Sequence, residues 1–490
     1  MKISKIYLIL ASVLFLTFIF RLPSLFEPYW YGDEGIFAAV ARNLNQGGTL
    51  YQTAWDNKPP MIYFTYQLIF KILGVSMFNL RLVTAIVALA TCAVVYEIAQ
   101  AVIGARRALL AALLVGFLSS LRIVEGNLAL TEIFMVLPIA GAMLISIKRN
   151  FDFFSLFVAG FLLAIASLYK QVGGLEVVAL GIFLFLRSKD FGEFFKKGVF
   201  LSIGFILPFL AVLAYFAPKN LVGEYIFAAY TYYRIYLGES PRYALFINIL
   251  KFLPIMAVIF YGLYKRHRQE IGVLYLFLLW LAFSFLGSYF SGRTYGHYLI
   301  QAIPAFSLIL ASVSIKPNLK FPQVIFALFF FVPLIFLTRL LFTNFLSGGP
   351  INQLNYWRNF GEFAFGKKGL NSYNDYFDKN VNSIMALSDF FSVESTRGTS
   401  VYIWGDYPWL YAIADLENPT RYVTSFHVFG VPNGKEEVVR TLSSDPPKYI
   451  IKPPSSIGYF SELEKLLSKK YMMVATIENS DVYTRRNESK

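Results

Sequence analysis

Long apolar runs recur along the chain and are separated by short polar segments. An α-helix needs about 20 apolar residues to cross a bilayer, and the runs that approach this length predict eleven membrane spans. The first run, Ile6 to Phe20, follows Lys2 and Lys5 as a signal peptide would. No small-residue cleavage site follows it, so we interpret it as an uncleaved span. The predicted spans lie near residues 5–21, 79–102, 107–123, 128–147, 152–169, 171–187, 198–216, 245–264, 271–290, 296–314 and 321–343.

The charge of the short loops predicts the orientation of these spans. Lysine and arginine concentrate in every second loop, and an excess of these residues marks the cytoplasmic side of a membrane protein. An odd number of spans then places the chain after about residue 345 on the outside. We expect a multi-pass plasma-membrane protein with a cytoplasmic N-terminus and an extracytoplasmic C-terminal domain. The basic inside loops are Arg106-Arg107, Lys148-Arg149, residues 187–197, residues 265–268, and Lys316 with Lys320.

The first outside loop, residues 27–78, carries two helical patterns. Asp33 is a suitable N-cap for the first helix, which the polar segment Asn45-Gln46-Gly47-Gly48 would end. Pro59 and Pro60 suit the first turn of the second. Helical spacing relates Ile36, Phe37, Val40 and Leu44 in the first helix, and Ile62, Tyr66, Ile69, Phe70 and Leu73 in the second. We interpret both as interfacial helices that lie on the membrane surface.

A second outside loop, residues 217–244, is rich in tyrosine. Aromatic rings collect at headgroup depth in membrane proteins. They also line substrate sites, because tyrosine combines an apolar ring with a polar hydroxyl. The sequence gives these two interpretations equal weight. The loop contains Tyr225, Phe227, Tyr230, Tyr232, Tyr233, Arg234, Tyr236 and Arg242.

Hydrophobicity falls after residue 346, and patterns typical of a soluble domain begin. Strand patterns at 401–404, 421–426, 449–451 and 472–477 alternate with helical patterns at 378–390, 407–415, 433–443 and 458–469. Such alternation predicts a small α/β domain with a largely parallel sheet. We therefore predict a transmembrane domain over residues 1–345 and an extracytoplasmic α/β domain over residues 346–490.

The composition agrees with a polytopic α-helical membrane protein. Hydrophobic residues make up 57% of the 490 residues and charged residues 15%, whereas a soluble domain has about 25% charged residues. The net charge of +14 is distributed over loops, which fits contact with anionic headgroups of the lipid bilayer and argues against a nucleic-acid partner. Cys92 is the single cysteine, so neither an intrachain disulfide nor a cysteine metal site can form.

Acidic residues at the outer membrane boundary are the first candidates for chemistry. Asp33 and Glu34 are adjacent in the first outside loop, and a carboxylate held there beside a second acid can act as a general base. A solvated helix cap is the alternative for Asp33. Glu132 opens the fourth span on the same side, where burying an unpaired carboxylate costs on the order of several kcal/mol. For Glu97 and Glu176 we expect structural contacts with neighbouring helices.

Cations on the outer side form the second set of candidates. Lys58 lies between Asp56 and two prolines that stiffen its backbone, and it is either a snorkelling interfacial lysine or a point charge for a phosphate. Arg81 enters the second span and suits a headgroup anchor. Further donors that a phosphate could meet on this side are Lys170, Arg293, His297 and Tyr298, although a lone interfacial histidine is more often a polar anchor.

The chain also contains metal-ligand residue types on the outer side. Their spacing specifies no metal site, so we expect no cofactor and leave dependence on a divalent metal open. The ligand types are Asp33, Glu34, Asp56, Glu132 and His297.

At these residues the chain resembles the GT-C superfamily of membrane glycosyltransferases. The similar group contains protein O-mannosyltransferases and lipid A aminoarabinose transferases, and the resemblance covers the transmembrane part of the chain. It implies a GT-C type helical membrane domain with two interfacial helices and a small C-terminal α/β domain. The motifs that carry it are Asp33-Glu34, Lys58-Pro59-Pro60, the two interfacial helices, Arg81-Leu82, Glu132 and His297-Tyr298.

The resemblance implies an inverting transfer of a monosaccharide from a polyprenyl-phosphate carrier to an extracytoplasmic acceptor hydroxyl. Asp33 matches the catalytic base of the family, and Glu34 and Glu132 would orient the acceptor or the base. Lys58 matches the lysine that contacts the lipid phosphate, where neutralising a departing phosphate is a large electrostatic term. The resemblance assigns further phosphate contacts to Arg81, Lys170, Arg293, His297 and Tyr298, and Asp56 would line the substrate site.

Two positions depart from the pattern of the similar families. The lipid A branch has glutamate where this chain has Asn57, so the resemblance carries no metal site to this position. The segment Trp404-Gly405-Asp406-Tyr407-Pro408 partly resembles an acceptor-binding motif of oligosaccharyltransferases. It lacks the second tryptophan, so we do not assign it that role.

A transporter or flippase of a lipid-linked or anionic substrate is the alternative function. A transporter predicts inverted repeats and broken helices near the midplane, and the sequence indicates neither. The long first loop and the outside α/β domain favour an enzyme. The acceptor stays open among protein hydroxyls, a glycolipid and a cell-envelope glycan.

Overall fold

The computed structural model describes residues 3–237, 244–267, 271–293, 295–313, 352–394, 398–454 and 458–486, and most of these residues are helical. Helices occupy the positions of ten predicted spans within these ranges, and the predicted span at 321–343 lies outside them. The helices up to residue 313 are α1 (Ile3–Arg21), α2 (Gly32–Asn45), α3 (Met61–Leu73), α4 (Met77–Ile103), α5 (Ala105–Leu118), α6 (Thr131–Lys148), α7 (Phe153–Tyr169), α8 (Leu175–Arg187), α9 (Phe191–Phe216), α10 (Val222–Ile226), α11 (Tyr233–Leu237), α12 (Ala244–His267), α13 (Val273–Tyr289) and α14 (Ile303–Ser312).

The remaining elements follow residue 351. They are α15 (Gln353–Ala364), α16 (Leu370–Asp375), α17 (Asn380–Glu394), β1 (Val401–Ile403), α18 (Trp409–Ile413), α19 (Ser425–Gly430), α20 (Gly434–Ser444), β2 (Tyr449–Lys452), α21 (Ser461–Lys470), β3 (Tyr471–Ile477) and β4 (Ser480–Arg485). Three of the predicted helices, at 378–390, 433–443 and 458–469, correspond to α17, α20 and α21, whereas the one at 407–415 shortens to α18.

Several helices of the first half are long and apolar enough to cross a membrane. By length and composition these are Lys5–Phe26, Met77–Ile103, Thr131–Lys148 and Phe191–Lys219 among the described residues, and shorter apolar helices include Phe153–Tyr169 and Val273–Tyr289. The chain is therefore a multi-pass membrane protein. The predicted span at 107–123 ends earlier, at Leu118, and the last described span begins with a 3-10 turn, Gly296–Ala302.

The chain divides into two compact units that interleave along the sequence. The first unit comprises Met1–Ser24, Arg81–Tyr215 and Glu239–Arg358, and the second comprises Leu25–Leu80, Phe216–Gly238 and Asn359–Lys490. The predicted domain boundary at residue 345 lies outside the described residues. The residues from Asn359 onward thus pack together with the two predicted outside loops in one unit.

Close helix packing in the first unit depends on small residues. A Cβ added at Gly160 in α7 would lie 2.1 Å from the carbonyl oxygen of Leu201, and one at Gly204 in α9 would lie 2.0 Å from that of Phe157. Glycine at these positions lets the two backbones touch, as is common for membrane helices.

The two acids expected to make structural contacts within the first unit do so. Glu97 in α4 forms an ion pair with Lys148 in α6. One carboxylate oxygen of Glu176 accepts hydrogen bonds from Ser284 and Gln301, both at 2.8 Å. Both acids therefore join neighbouring helices, as the sequence predicted.

In the second unit, α2 and α3 lie where the sequence predicts them, but the N-cap prediction is wrong. α2 starts at Gly32 with Tyr31 at the N-cap, and no side chain caps it. Asp33 and Glu34 instead occupy the first turn, where carboxylates complement the helix dipole. The buried apolar positions are Phe37, Val40 and Leu44 in α2 and Ile62, Tyr66, Ile69 and Phe70 in α3, whereas Leu73 is exposed.

The sheet is mixed, so the prediction of a largely parallel sheet is wrong. Its strand order is β1-β2-β4-β3, in which only β1 and β2 pair in parallel. The sequence pattern missed β4. A two-residue turn joins β3 to β4, and both of its residues, Glu478 and Asn479, have positive φ. Such hairpin turns are recognised in sequences mainly by glycine, which this turn lacks.

The strand predicted at 421–426 is absent from the described residues. Tyr422 forms only an isolated bridge with Trp55. The side chain of Thr424 accepts a hydrogen bond from the backbone of His427 and so starts helix α19. A threonine cap followed by a short helix therefore replaces the strand that the β-branched and aromatic residues suggested.

Gly35 of α2 provides a test of packing in the second unit. A Cβ at this position would lie 2.7 Å from Cδ1 of Trp409 and 2.9 Å from Cγ of Pro408, whereas a Cβ at Gly32 would meet nothing within 4 Å. We expect Gly35→Ala to lower the free energy of unfolding by about 1–3 kcal/mol through overpacking, and Gly32→Ala to cause no loss. Denaturation in detergent micelles measures both, and equal stability of the two variants would contradict the contact.

Candidate functional site

Several of the charged residues predicted from the sequence gather in two clusters, one in each unit. The lysine cluster of the second unit consists of Asp56, Asn57, Lys58, Tyr63 and His427. Asp56 is only 2% exposed. Its Oδ2 accepts a 2.7 Å hydrogen bond from the hydroxyl of Tyr63, and its Oδ1 lies 3.2 Å from Nε2 of His427. Both carboxylate oxygens are thus engaged by protein donors.

Two tyrosines fix the backbone of Lys58. Its backbone N–H donates to the hydroxyl of Tyr63 at 3.1 Å, and its carbonyl oxygen accepts from the hydroxyl of Tyr51 at 2.7 Å. The ammonium group donates to Oδ1 of Asn57 at 2.9 Å. These hydrogen bonds therefore restrain the backbone of Lys58 in addition to the two prolines that follow it.

The surroundings of Lys58 keep its side chain charged. Burial alone lowers the pKa of this lysine, but interactions with Tyr233, Asp56 and Asp33, in that order, raise it well above its ordinary value. Burial likewise raises the pKa of Asp56, while Lys58 and His427 lower it to a net value well below the usual range. The buried Asp56 and the partly exposed Lys58 therefore form a pair of opposite charges.

Asp33 is the acid of the predicted pair that remains accessible. It is partly exposed in the first turn of α2, whereas Glu34 is buried. Asp33 helps to raise the pKa of Lys58 through its charge, although α2 and the loop before α3 separate the two residues in sequence. An accessible carboxylate beside a fixed ammonium is a suitable pair for a proton acceptor and an anion contact.

The tyrosine-rich loop contributes to the lysine cluster. A π-helical turn, Phe227–Thr231, lies between α10 and α11, and such turns often occur at functional sites. After this turn Tyr232 is buried against Trp55, with ring centroids 5.0 Å apart. Tyr233 and Tyr236 interact with Lys58. These contacts favour the interpretation of the loop as part of a site; its Arg242 lies outside the described residues.

The glutamate cluster of the first unit consists of Glu125, Glu132, Lys170, His297 and Tyr298. Glu132, 2% exposed, forms an ion pair with Lys170 and accepts a 2.8 Å hydrogen bond from Thr131. Nδ1 of His297 contacts Glu125, and its Nε2 lies 3.9 Å from Glu132. The ammonium of Lys170 lies 3.6 Å from the centre of the Tyr298 ring. Acidic and basic side chains thus alternate through this cluster.

The remaining predicted phosphate contacts lie apart from the lysine cluster in sequence and belong to the first unit. Arg81 is fully buried and donates to the backbone carbonyl of Asn127. Arg293 is partly exposed, and its guanidinium lies 3.5 Å from the hydroxyl of Tyr295. The roles of Arg81 and Arg293 in phosphate binding stay predictions.

Sequence reasoning missed three residues of the clusters. His427 falls in the predicted C-terminal domain and Tyr63 in the second predicted helix of the first outside loop, and the sequence analysis assigns a role to neither. Glu125 lies in the polar segment Glu125-Gly126-Asn127 between two predicted spans. That segment was a usable signal for Glu125, whereas the contact of His427 with Asp56 joins positions 371 residues apart and had no signal.

The structure offers little for a metal ion. Within the described ranges, no group of three or more His, Cys, Asp or Glu side chains is arranged to hold one. Asn57 at the position preceding Lys58 supplies an amide oxygen, and that oxygen already accepts from Lys58. The expectation of no cofactor, with dependence on a divalent metal left open, stays a prediction.

The buried ion pair of the glutamate cluster predicts a large loss of stability when one partner is removed. Replacing Lys170 by Met leaves Glu132 buried without its cation, and we expect the free energy of unfolding to fall by about 3–5 kcal/mol. The exposed pair Arg149–Asp152, at 2.7 Å, is a matched control, for which Arg149→Met should cost less than about 1 kcal/mol. Denaturation in detergent micelles tests this, and equal losses for the two variants would contradict it.

A sequence model of one family matches part of the chain. The family is described as dolichyl-phosphate-mannose-protein mannosyltransferase, and the match covers residues 57–217. The matched range contains Lys58, Glu132 and Lys170.

Two proteins of Aquifex aeolicus (strain VF5), each described as an uncharacterized protein, are related in sequence. One is 27% identical over 333 residues, which cover 64% of this chain and 65% of the relative. The other is 30% identical over 277 residues, which cover 55% of this chain and 62% of the relative. The chain thus matches slightly less than two thirds of the length of each.

Two solved structures share the fold over nearly their whole length. ArnT from Cupriavidus metallidurans bound to undecaprenyl phosphate is 14% identical, with a TM-score of 0.59, and the match covers 100% of this chain and 99% of ArnT. ArnT in the apo state is 13% identical, with a TM-score of 0.56 and 98% of both chains covered. ArnT is a GT-C glycosyltransferase, so the comparison confirms the predicted GT-C fold class.

Proposed function

We propose that this chain with the GT-C fold is an inverting glycosyltransferase that moves a monosaccharide from a polyprenyl-phosphate carrier to a hydroxyl on the outer side of the membrane. The observation that carries the proposal is that two tyrosine hydroxyls hold the backbone of Lys58, whose charged side chain is also influenced by the charge of Asp33. The fold and the mannosyltransferase family match support the reaction class. The undecaprenyl phosphate bound by ArnT supports the class of carrier.

Lys58 is assigned to the phosphate of the donor. Its backbone is fixed by two tyrosine hydroxyls and its side chain is kept protonated by the surrounding acids and tyrosines. A preorganised cation at the point where negative charge develops lowers the barrier because no reorganisation is needed during the reaction. Lys58 therefore stabilises the leaving phosphate.

Asp33 is assigned to the acceptor. The acceptor oxygen attacks the anomeric carbon on the face opposite the phosphate, and its proton moves to the carboxylate of Asp33. The new carbon–oxygen bond forms as the anomeric carbon–phosphate oxygen bond breaks, and the bonding electrons leave with the phosphate. A single displacement of this kind inverts the configuration at the anomeric carbon. Partial exposure of Asp33 leaves room for an acceptor.

The positive-inside pattern of the loops supports a cytoplasmic N-terminus and a second unit on the outer side of the plasma membrane. Substrates would then meet the lysine cluster from outside or from the outer leaflet. The acceptor is a protein hydroxyl, a glycolipid or a cell-envelope glycan, and the chain offers no code that selects among them.

Mass spectrometry of the lipid that co-purifies with the protein tests the carrier. The proposal predicts a polyprenyl phosphate, free or carrying one sugar, in the wild-type protein and much less of it in Lys58→Met. Only bulk phospholipid in both proteins would contradict the assignment. Uptake of a substrate into proteoliposomes without any sugar transfer would favour the transporter alternative instead.

A further inference from the structure

The C-terminal part of the second unit contacts residues close in sequence to both Asp33 and Lys58, which the proposed reaction requires. Its segment Trp404–Trp409 includes the sequence that partly resembles an acceptor motif, and its helix α19 carries His427. The contacts of Trp409 with α2 and of His427 with Asp56 all lie within the second unit. These contacts can restrain the positions of α2 and of Asp56.

Trp409 fixes the start of helix α2. Its indole N–H donates to the backbone carbonyl of Tyr31, the N-cap residue of α2, at 3.0 Å. Its ring, together with Pro408, lies directly against Gly35, where a Cβ would come within 3 Å of both residues. Asp33 lies between Tyr31 and Gly35, so Trp409 contacts the backbone on either side of it, and Pro408 adds a contact at Gly35.

His427 fixes Asp56. The imidazole is buried, its Nε2 lies 3.2 Å from Oδ1 of Asp56, and Trp55 packs edge-on with ring centroids 5.1 Å apart. Nδ1 of His427 has no hydrogen-bond partner within the described part of the chain. With Nδ1 unpaired, the contact with Asp56 is the polar interaction that orients the ring. Asp56 in turn acts on Lys58.

The segment also contacts the helix that carries His427. The backbone N–H of Ser425, the first residue of α19, donates to the carbonyl oxygen of Gly405 at 3.3 Å. The neighbouring residues of the same segment are also engaged. Trp404 packs against Phe429, with ring centroids 5.5 Å apart, and the hydroxyl of Tyr407 donates to Asn380 at 3.1 Å.

We propose that the segment Trp404–Trp409 and His427 position the reacting side chains, with Trp409 holding Asp33 through α2 and His427 holding Lys58 through Asp56. This inference rests on the proposed function. It assigns the acceptor-motif-like sequence a role in positioning, not in acceptor binding. The two arms predict different kinetic effects, because one acts on the base and the other on the phosphate contact.

Steady-state kinetics of sugar transfer from a short-chain polyprenyl-phosphate donor separates the two arms. His427→Leu should raise KM for the donor about tenfold, the loss expected for one charge-assisted hydrogen bond, with kcat within about twofold. His427→Gln should restore most of the affinity, because its amide N–H can donate to Asp56. Trp409→Phe, which keeps an aromatic ring but lacks the N–H, should lower kcat about tenfold with KM unchanged.

The experiment includes a control variant, a folding check and a replacement for a variant that does not fold. His267→Gln, an exposed histidine outside both clusters, should leave both constants unchanged, and thermal unfolding checks that each variant folds. If His427→Leu does not fold, His427→Asn replaces it, because the shorter amide does not reach Asp56. Equal changes of kcat and KM in both arms, or no change in either, would overturn the inference.

Two further outcomes separate the inference from the proposed function. If the wild-type protein is inactive with every polyprenyl-phosphate donor, the proposed function is refuted. If activity falls only in Lys58→Met, the inference alone is refuted.

Discussion

Replacing Asp33 by asparagine is expected to lower kcat for sugar transfer by about 10²–10⁴-fold, the usual contribution of a general base. The amide keeps the size of the side chain but cannot accept the proton of the acceptor hydroxyl at neutral pH. Because Asp33 does not contact the leaving phosphate in the proposed mechanism, KM for the lipid donor should change by less than about threefold. Initial rates with a radiolabelled polyprenyl-phosphate sugar measure both constants.

Asp389→Asn is the control for this variant, since Asp389 is an exposed carboxylate on α17 and its change should leave the rate unaltered. Glu34→Gln extends the comparison to the buried neighbour of Asp33. If Asp33→Asn retained the wild-type rate, Asp33 would not be the base. A full loss in Glu34→Gln together with an active Asp33→Asn would transfer that role to Glu34.

Replacing Lys58 by methionine is expected to weaken donor binding by about 10–100-fold, which corresponds to the loss of a charge-assisted contact to the phosphate. Methionine has a similar length but no charge. The variant also leaves Asp56 without its cation, although Tyr63 and His427 still donate to that carboxylate. Equilibrium binding of a polyprenyl phosphate to protein in nanodiscs measures the effect.

Lys71→Met is the matched control, because Lys71 is an exposed lysine on α3, which follows the loop of Lys58. It removes the same charge from the second unit, so it corrects for the general attraction of an anionic lipid to a basic protein. Equal weakening in both variants would mean that Lys58 acts only through net charge. Unchanged binding in Lys58→Met would exclude it as the phosphate contact.

The sequence predicted the membrane helices well because length and hydropathy determine them locally. α4, α6 and α9 lie within a few residues of the predicted spans, apart from an earlier start of α9 at Phe191. Each of these helices satisfies its own backbone hydrogen bonds, which lipid requires of any spanning segment. Local composition therefore carries most of the information.

The C-terminal sheet was harder to predict because its pairing is decided by long-range contacts. β2 pairs with β4, which begins more than two dozen residues later in the sequence, and the turn before β4 has no glycine. Thr424 illustrates the opposite error, since a local hydrogen bond to His427 overrides a strand-like composition. Both errors arise where specific side-chain contacts, and not the hydrophobic periodicity of the sequence, determine the backbone conformation.

The candidate site was predictable in part for a similar reason. Asp33, Lys58 and Glu132 were identified as unusual charges at a membrane boundary. Placing a charge there costs free energy, so such residues usually have a function. Their partners had no such signal. His427 and Tyr63 belong to the site because the fold places them against the two carboxylate oxygens of Asp56. A periodic pattern of apolar residues does not predict that contact.

The position of the donor phosphate is the most direct test of the central claim. A cryo-EM structure of the protein in nanodiscs with a polyprenyl phosphate would show it. The proposed function predicts phosphate density within hydrogen-bond distance of Nζ of Lys58, about 2.7–3.2 Å. Phosphate bound at the glutamate cluster instead, with Lys58 still donating only to Asn57, would contradict the claim.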